Sequence, residues 1–124
     1  MDTRATLAGS QAGMRFIAQM TFFNQGDFDR LRTFITYGYD PALLDDQSVD
    51  DRLHQLQSIY KTLGKMRVSE IISADKYRVA MLLEAQHASD LYYTRIKVGE
   101  DYPHHVIQYI HRSYRKNGGQ EDGV

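Results

Sequence analysis

One carboxylate in the C-terminal half of the chain has the spacing of a residue that could move protons. Glu70 alternates with Met66, Val68 and Ile72 in a segment of period two, so a strand would carry it on the same face as these apolar side chains. A carboxylate buried among apolar groups has a raised pKa and can exchange a proton near neutral pH. Glu70 is therefore the candidate catalytic residue if the protein is an enzyme. The alternative is that it lies at a sheet edge or pairs with a nearby base.

The five histidines do not form a recognisable metal site. His104 and His105 are adjacent in a predicted strand and so point to opposite faces. His105 and His111 share a face by parity, but an extended strand separates them by about 20 Å. The chain has no cysteine, no Gly-x-Ser-x-Gly sequence and no glycine-rich phosphate loop. We therefore expect no metal, no cofactor and no nucleophilic catalysis.

The charge balance argues against nucleic acid and membranes as partners. Fifteen basic and sixteen acidic side chains give a formal net charge of −1 at pH 7, so no overall field attracts a polyanion. The tyrosines and bases of residues 92–97 could form a stacking platform for single-stranded nucleic acid, but tyrosine is also a good strand former. No apolar run approaches the ~20 residues of a membrane span, and residues 1–9 lack the apolar core of a secretory signal. We expect a cytoplasmic protein with no nucleic-acid or membrane partner.

The elements that must position these residues change from helical to strand periodicity near Gly64. Apolar residues three and four apart predict three helices, and Asp40 followed by Pro41 predicts a short helical turn. The first helix runs from Ser10 to Gln25, the second begins after Asp27 and ends at Gly38, the turn covers 41–45, and the third begins after Ser48 and ends at Gly64. Period-two patterns predict strands at Lys65–Ser73, Tyr77–His87, Asp90–Val98 and His104–Tyr114. The short breaks between these strands predict an antiparallel meander.

These elements predict one domain over residues 10–115. Its class is α+β, with three N-terminal helices packed on a curved four-stranded antiparallel sheet in a cone-like fold. A chain of 124 residues is of ordinary size for one domain. We expect residues 1–9 to be a flexible N-terminus and the glycine-rich, charged residues 116–124 to be a disordered tail.

Apolar side chains occur on both faces of the predicted sheet. An antiparallel sheet with one face in water should alternate cleanly between apolar and polar residues. By parity, the face away from the helices carries a set of apolar and aromatic residues: Leu82, Leu91, Tyr93, Ile107 and Tyr109. Three helices can cover only one face of a four-stranded sheet, so we expect a second copy of the chain to cover the other and form a homodimer.

The order of helices and meander resembles the nuclear-transport-factor-two-like superfamily, which includes SnoaL-like polyketide cyclases and ketosteroid isomerases. Four segments carry the resemblance: Phe22 to Phe28, Leu31 to Ile35, Leu63 to Met66 and Tyr102 to Val106. Within the superfamily, the chain is most similar to the small accessory domain found ahead of serine β-lactamase-like or peptidase domains. The resemblance extends over about Met14 to Tyr114 and implies a cone fold and a dimer.

Two hypotheses for function follow. The first is a non-enzymatic, dimeric module that binds a small apolar ligand or another protein. The alternative is a small-molecule isomerase or cyclase in which Glu70 shuttles a proton. Both place a ligand pocket between helices and sheet, with candidate lining residues Phe16, Met20, Tyr60, Glu70, Met81 and Tyr92. A filled cone would exclude a substrate, whereas a cavity of at least ~300 Å³ with Glu70 on its wall would favour the enzyme.

Overall fold

The computed structural model describes residues 3–114 of the chain. Within this range five helices precede four strands: α1 (Thr3–Ala8), α2 (Gln11–Gln25), α3 (Phe28–Gly38), α4 (Pro41–Asp46), α5 (Val49–Leu63), β1 (Met66–Ala74), β2 (Arg78–Ala85), β3 (Leu91–Val98) and β4 (Val106–Tyr114). The strands form one antiparallel sheet in the order β1-β2-β3-β4. The predicted α+β architecture, helices on a four-stranded antiparallel meander, is confirmed. The predicted tail at 116–124 lies outside the described residues.

A helix lies where the sequence predicts a flexible N-terminus. Helix α1 has six residues and buries Leu7 in the core. A helix of this length is not stable by itself in water, so its presence depends on tertiary contacts. The backbone of α1 packs closely against α2 at Gly13. A Cβ atom added at Gly13 would lie 2.1 Å from the Leu7 carbonyl oxygen. The lack of a side chain at Gly13 is what lets α1 pack against α2.

The three longer helices begin near the predicted boundaries, and each has a capping side chain at its start. The side chains of Ser10, Asp27 and Ser48 each accept a hydrogen bond from a backbone amide three residues further on. Gly26 ends α2 with a φ of 69°, in the left-handed region that glycine adopts without a Cβ penalty. The Ser10 hydroxyl also donates to the Asp75 carbonyl at 2.7 Å. This bond ties the start of α2 to the turn between β1 and β2.

The inner face of the sheet packs against the helices and forms the core with α2. Residues opposite one another in neighbouring antiparallel strands share a face. Ile71, Met81, Thr94 and His111 lie in register across the four strands, and Met81 belongs to the buried core. This row therefore marks the inner face, and His111 lies on it at the open edge of the sheet, since β4 is an edge strand.

A β-bulge in β1 reverses the expected orientation of Glu70. Val68 lies opposite Leu83, but the next paired residue, Glu70, lies opposite Leu82, so Ser69 is the inserted residue. An extra residue in one strand moves the side chains that follow it to the other face. Glu70 is exposed and lies with Leu82 on the outer face. The prediction that Glu70 points among the apolar side chains of the cone is therefore wrong.

The outer face carries three of the five predicted interface residues. Leu91 and Tyr93 lie there half-buried. Leu82 lies on the same face in β2, the strand between β1 and β3. It is only 6% exposed in the single chain, so little of its surface is left for a partner. The guanidinium of Arg112 lies over the Tyr93 ring, 5.2 Å from its centroid. The outer face is therefore a mixed surface of apolar, aromatic and charged groups.

The other two predicted interface residues do not lie on this face as expected. Ile107 falls in the irregular part of β4, between residues that pair with β3, and is 37% exposed. Tyr109 lies opposite Ile96, which is fully buried, and Tyr109 packs against the core. The assignment of Tyr109 to the outer face is therefore wrong, because the irregularity before it changes the parity of the strand.

Candidate functional site

The centre of the cone is filled by side chains that the sequence assigns to a pocket. Phe16, Met20 and Met81 are buried members of the core, although Phe16 and Met20 also border a groove beside α1. Tyr60 packs edge-on against two phenylalanine rings at centroid distances of 5.4 and 5.5 Å. These residues stabilise the junction of helices and sheet, so they do not form the expected ligand pocket.

A cavity of about 310 Å³ lies instead between α5 and the edge strand β4. It is lined by Tyr39, Gln47, Arg52, Gln55, Leu56, Ile59, Tyr109, Ile110 and His111. None of the predicted pocket residues lines it. Tyr92 contacts one of its lining residues, since its ring stacks on that of His111 at a centroid distance of 5.5 Å. The cavity is at the small end of the range for ligand sites.

Two larger openings share two polar side chains, Asn24 and Arg67, that are already paired. The first is a groove of about 510 Å³ that includes Asn24. The Asn24 side chain donates a hydrogen bond to the Met66 carbonyl and accepts one from the Met66 amide. Arg67, on the same groove, pairs with Glu84 at 2.8 Å. The second groove, of about 410 Å³, lies beside α1 and shares Asn24 and Arg67. The cavity beside β4 differs because one of its lining residues, His111, has a buried side-chain nitrogen without a partner among residues 3–114.

Tyr39, which lines the cavity, makes a buried hydrogen bond to α2. The Tyr39 hydroxyl donates to Oε1 of Gln19 at 2.6 Å, and both side chains are buried. Burial raises the pKa of the Tyr39 and Tyr109 hydroxyls, so both stay protonated at physiological pH. The Gln19 side chain lowers the pKa of each hydroxyl and so offsets part of this rise. Nε2 of Gln19 nevertheless has no hydrogen-bond partner among residues 3–114.

The imidazole of His111 presents a second unpaired atom. Its Nδ1 lies 2.9 Å from the hydroxyl oxygen of Thr94, a fully buried residue. If Nδ1 carried the proton, the Thr94 hydroxyl hydrogen would be buried without an acceptor, which is costly. The favoured arrangement has Thr94 donating to Nδ1 and the ring proton on Nε2. Nε2 is buried and unpaired within the described part of the chain, so a residue that lines the cavity carries an unpaired donor.

The pKa of His111 makes stability depend on pH. Burial lowers this pKa below its ordinary value of 6.5. Between the two values the unfolded chain binds a proton that the folded chain does not, so stability falls as pH drops below about 6.5. We expect the Tm to fall between pH 7 and pH 5, and to fall less in His111→Gln. The exposed His54 provides the control: His54→Gln should keep the native slope. An unchanged slope in His111→Gln would contradict this assignment.

Arg52 contributes a buried positive charge to the cavity wall. The residue is 9% exposed. Its Nε donates to the Gln47 carbonyl at 2.8 Å and its Nη2 to the Leu43 carbonyl at 3.0 Å, which caps the end of α4. Its guanidinium lies over the Tyr39 ring, 5.3 Å from the centroid. No ion pair of the described residues includes Arg52. A guanidinium has five N–H groups, so donors remain after these two bonds.

Sequence reasoning missed Gln19, Tyr39 and Arg52. A usable signal was present: Gln19 lies three residues after Phe16 in α2, at a spacing that belongs to the buried stripe. Arg52 immediately precedes the buried Leu53 in α5. A glutamine or arginine at the border of an apolar helix face is a candidate for a buried polar role. His111 was considered only as a metal ligand.

Comparison with protein-family models, curated proteins and solved structures found no match to this chain. The resemblance to the nuclear-transport-factor-two-like superfamily therefore stays a prediction, and function must be inferred from the cavity itself. Within residues 3–114, no helix combines the length and the apolar content that a bilayer crossing requires.

Proposed function

We propose that this protein is a non-enzymatic binding module that holds a small organic molecule in the cavity between α5 and β4. The observation that carries the proposal is that His111 lines the cavity and that its Nε2 is buried without a partner among residues 3–114. A buried donor without a partner costs about 1–3 kcal/mol. A bound molecule with an acceptor oxygen would remove that cost, because it would take the hydrogen bond that the chain does not supply.

The walls of the cavity fit a small, partly apolar molecule. Leu56 and Ile59 supply aliphatic surface, and the rings of Tyr39 and Tyr109 supply flat aromatic surface. Ligand sites commonly combine such walls with a few converging polar groups. The occupant would therefore have a planar or apolar body and an acceptor group at the His111 end.

Binding is favoured over the isomerase or cyclase alternative by the chemistry of the lining. That alternative requires a carboxylate in the cavity, but Glu70 lies on the outer face, and the described lining residues include no Asp or Glu. Burial lowers the pKa of His111, which makes it a poor proton acceptor at neutral pH. These features support ligand binding without catalysis at this cavity.

The proposal is tested by titrating three probes into the ¹⁵N-labelled chain: benzoate, benzamide and 2-naphthol. We expect amide shifts to cluster at Ile59, Tyr109 and His111. Gln55 is exposed at the cavity rim, so Gln55→Trp should block entry and weaken binding at least about tenfold. Gln57→Trp is the matched control, because Gln57 is exposed on α5 and does not line the cavity. Absence of cavity shifts with all three probes would overturn the proposal.

A second proposal is homodimerisation through the outer face. Leu91 and Tyr93 are half-buried there, and the helices pack on the opposite, inner face. Light scattering at micromolar concentration should give twice the mass of the 14.3 kDa chain. Leu91→Asp should give a monomer, whereas Met14→Asp, at an exposed position of α2, should not. A single-chain mass for the native protein would reject the dimer.

A further inference from the structure

We infer that the molecule held in the cavity carries a negatively charged oxygen group, an organic carboxylate, which Arg52 binds. This inference rests on the proposed function, since it specifies the chemical class of the ligand at the same site. It is carried by the unpaired charge of Arg52 and by the type of the other polar atoms at the cavity.

The charge of Arg52 is compensated only in part by the chain. Its two bonds go to neutral carbonyls at the end of α4, and the Tyr39 ring offers a weak electrostatic attraction. Asp45 and Asp46 lie in the same helix α4, but both are exposed and neither pairs with Arg52. A buried charge normally has an opposite charge beside it. An anion in the cavity would supply that charge.

The remaining polar atoms point to the same class of ligand. Nε2 of His111, a residue that lines the cavity, is a buried and unpaired nitrogen donor in the favoured arrangement. A carboxylate is acceptor-only and can accept two parallel bonds from a guanidinium. A protonated amine would instead be repelled by the positive charge of Arg52, and its N–H donors could not bond the N–H donors of Arg52 and His111. The aliphatic walls of Leu56 and Ile59 favour an organic acid over a free inorganic oxyanion.

The test compares benzoate with benzamide, which has nearly the same shape but no charge, in titrations of the native chain followed by amide shifts. We expect benzoate to bind at least about tenfold more tightly than benzamide. Inorganic phosphate is the third probe and should bind more weakly than benzoate. If benzamide binds in the cavity as well as benzoate does, the anion inference fails and the proposed function stands. If phosphate binds as tightly as benzoate, the assignment to an organic carboxylate fails.

Variants of Arg52 assign the preference to one side chain. Arg52→Gln should remove the difference between benzoate and benzamide and leave the binding of 2-naphthol. Because this change also removes the cap of α4, Arg52→Lys is measured in parallel; it keeps the charge and should keep most of the preference. A preference that survives in a folded Arg52→Gln variant would overturn the role of Arg52. The native benzoate-to-benzamide ratio decides the ligand class even if Arg52→Gln does not fold.

Discussion

Alanine at Gly13 is expected to separate α1 from α2. A Cβ atom at this position would lie 2.1 Å from the Leu7 carbonyl oxygen and 2.7 Å from its carbonyl carbon. These are backbone atoms, so the contact cannot be relieved by rotating a side chain. If α1 moves away, Leu7 leaves the core, and the loss of one buried leucine costs about 2–3 kcal/mol. Urea unfolding should show this loss, and trypsin should cleave after Arg4 in α1 faster than in the native chain.

Gly9 provides the matched control for this prediction. A Cβ atom at Gly9 would lie 3.6 Å from its nearest neighbour, the Ala5 carbonyl oxygen, which is an ordinary contact distance. Gly9→Ala should therefore change the free energy of unfolding by less than about 0.5 kcal/mol. Leu7→Ala tests the mechanism, because its cost should largely disappear in the Gly13→Ala background. Native stability and native trypsin resistance in Gly13→Ala would contradict the close packing of α1.

The Gln19→Leu variant is expected to lose about 2 kcal/mol of stability. Gln19 is fully buried, and its Oε1 is the acceptor for the Tyr39 hydroxyl at 2.6 Å. Leucine has a similar size but no acceptor, so it leaves the hydroxyl buried without a partner. Tyr39→Phe should also be destabilising, since it leaves Oε1 of Gln19 unpaired. Urea unfolding of each variant measures both losses.

The double variant Gln19→Leu with Tyr39→Phe distinguishes a coupled pair from two independent positions. Replacing both partners by apolar groups of similar shape removes both unpaired atoms, so the double variant should be more stable than the sum of the single costs predicts. Tyr37, which is exposed, serves as the control: Tyr37→Phe should have no measurable effect. Strict additivity of the two buried changes would show that the hydrogen bond is not the source of the cost.

The positions of the longer helices and all four strands could be predicted from the sequence because their signals are local. The helices begin next to Ser10, Asp27 and Ser48, close to the predicted boundaries, and each of these side chains caps its helix. Gly26 and Gly64 end two of them. Caps and periodicity depend on residues a few positions apart, and these interactions form within one element. The α+β class and the antiparallel meander followed from the order of these elements and their short connections.

The face on which a strand residue lies could be decided only by the tertiary structure. Parity is counted along the strand, so the single inserted residue Ser69 moves Glu70 to the outer face. In β4, the irregularity near Ile107 does the same for Tyr109 and brings it into the interior. A bulge depends on how two strands pair, and the local pattern carries no record of it.

The location of the cavity was also decided only by the tertiary structure. Its polar groups come from separate parts of the chain: Tyr39 from the end of α3, Arg52 from α5 and His111 from β4. None of these residues has a neighbour in sequence that indicates its partner. The sequence by itself determined the elements and their order, because those depend on local interactions. The tertiary structure alone decided which buried donors meet beside β4, because that depends on how distant elements pack.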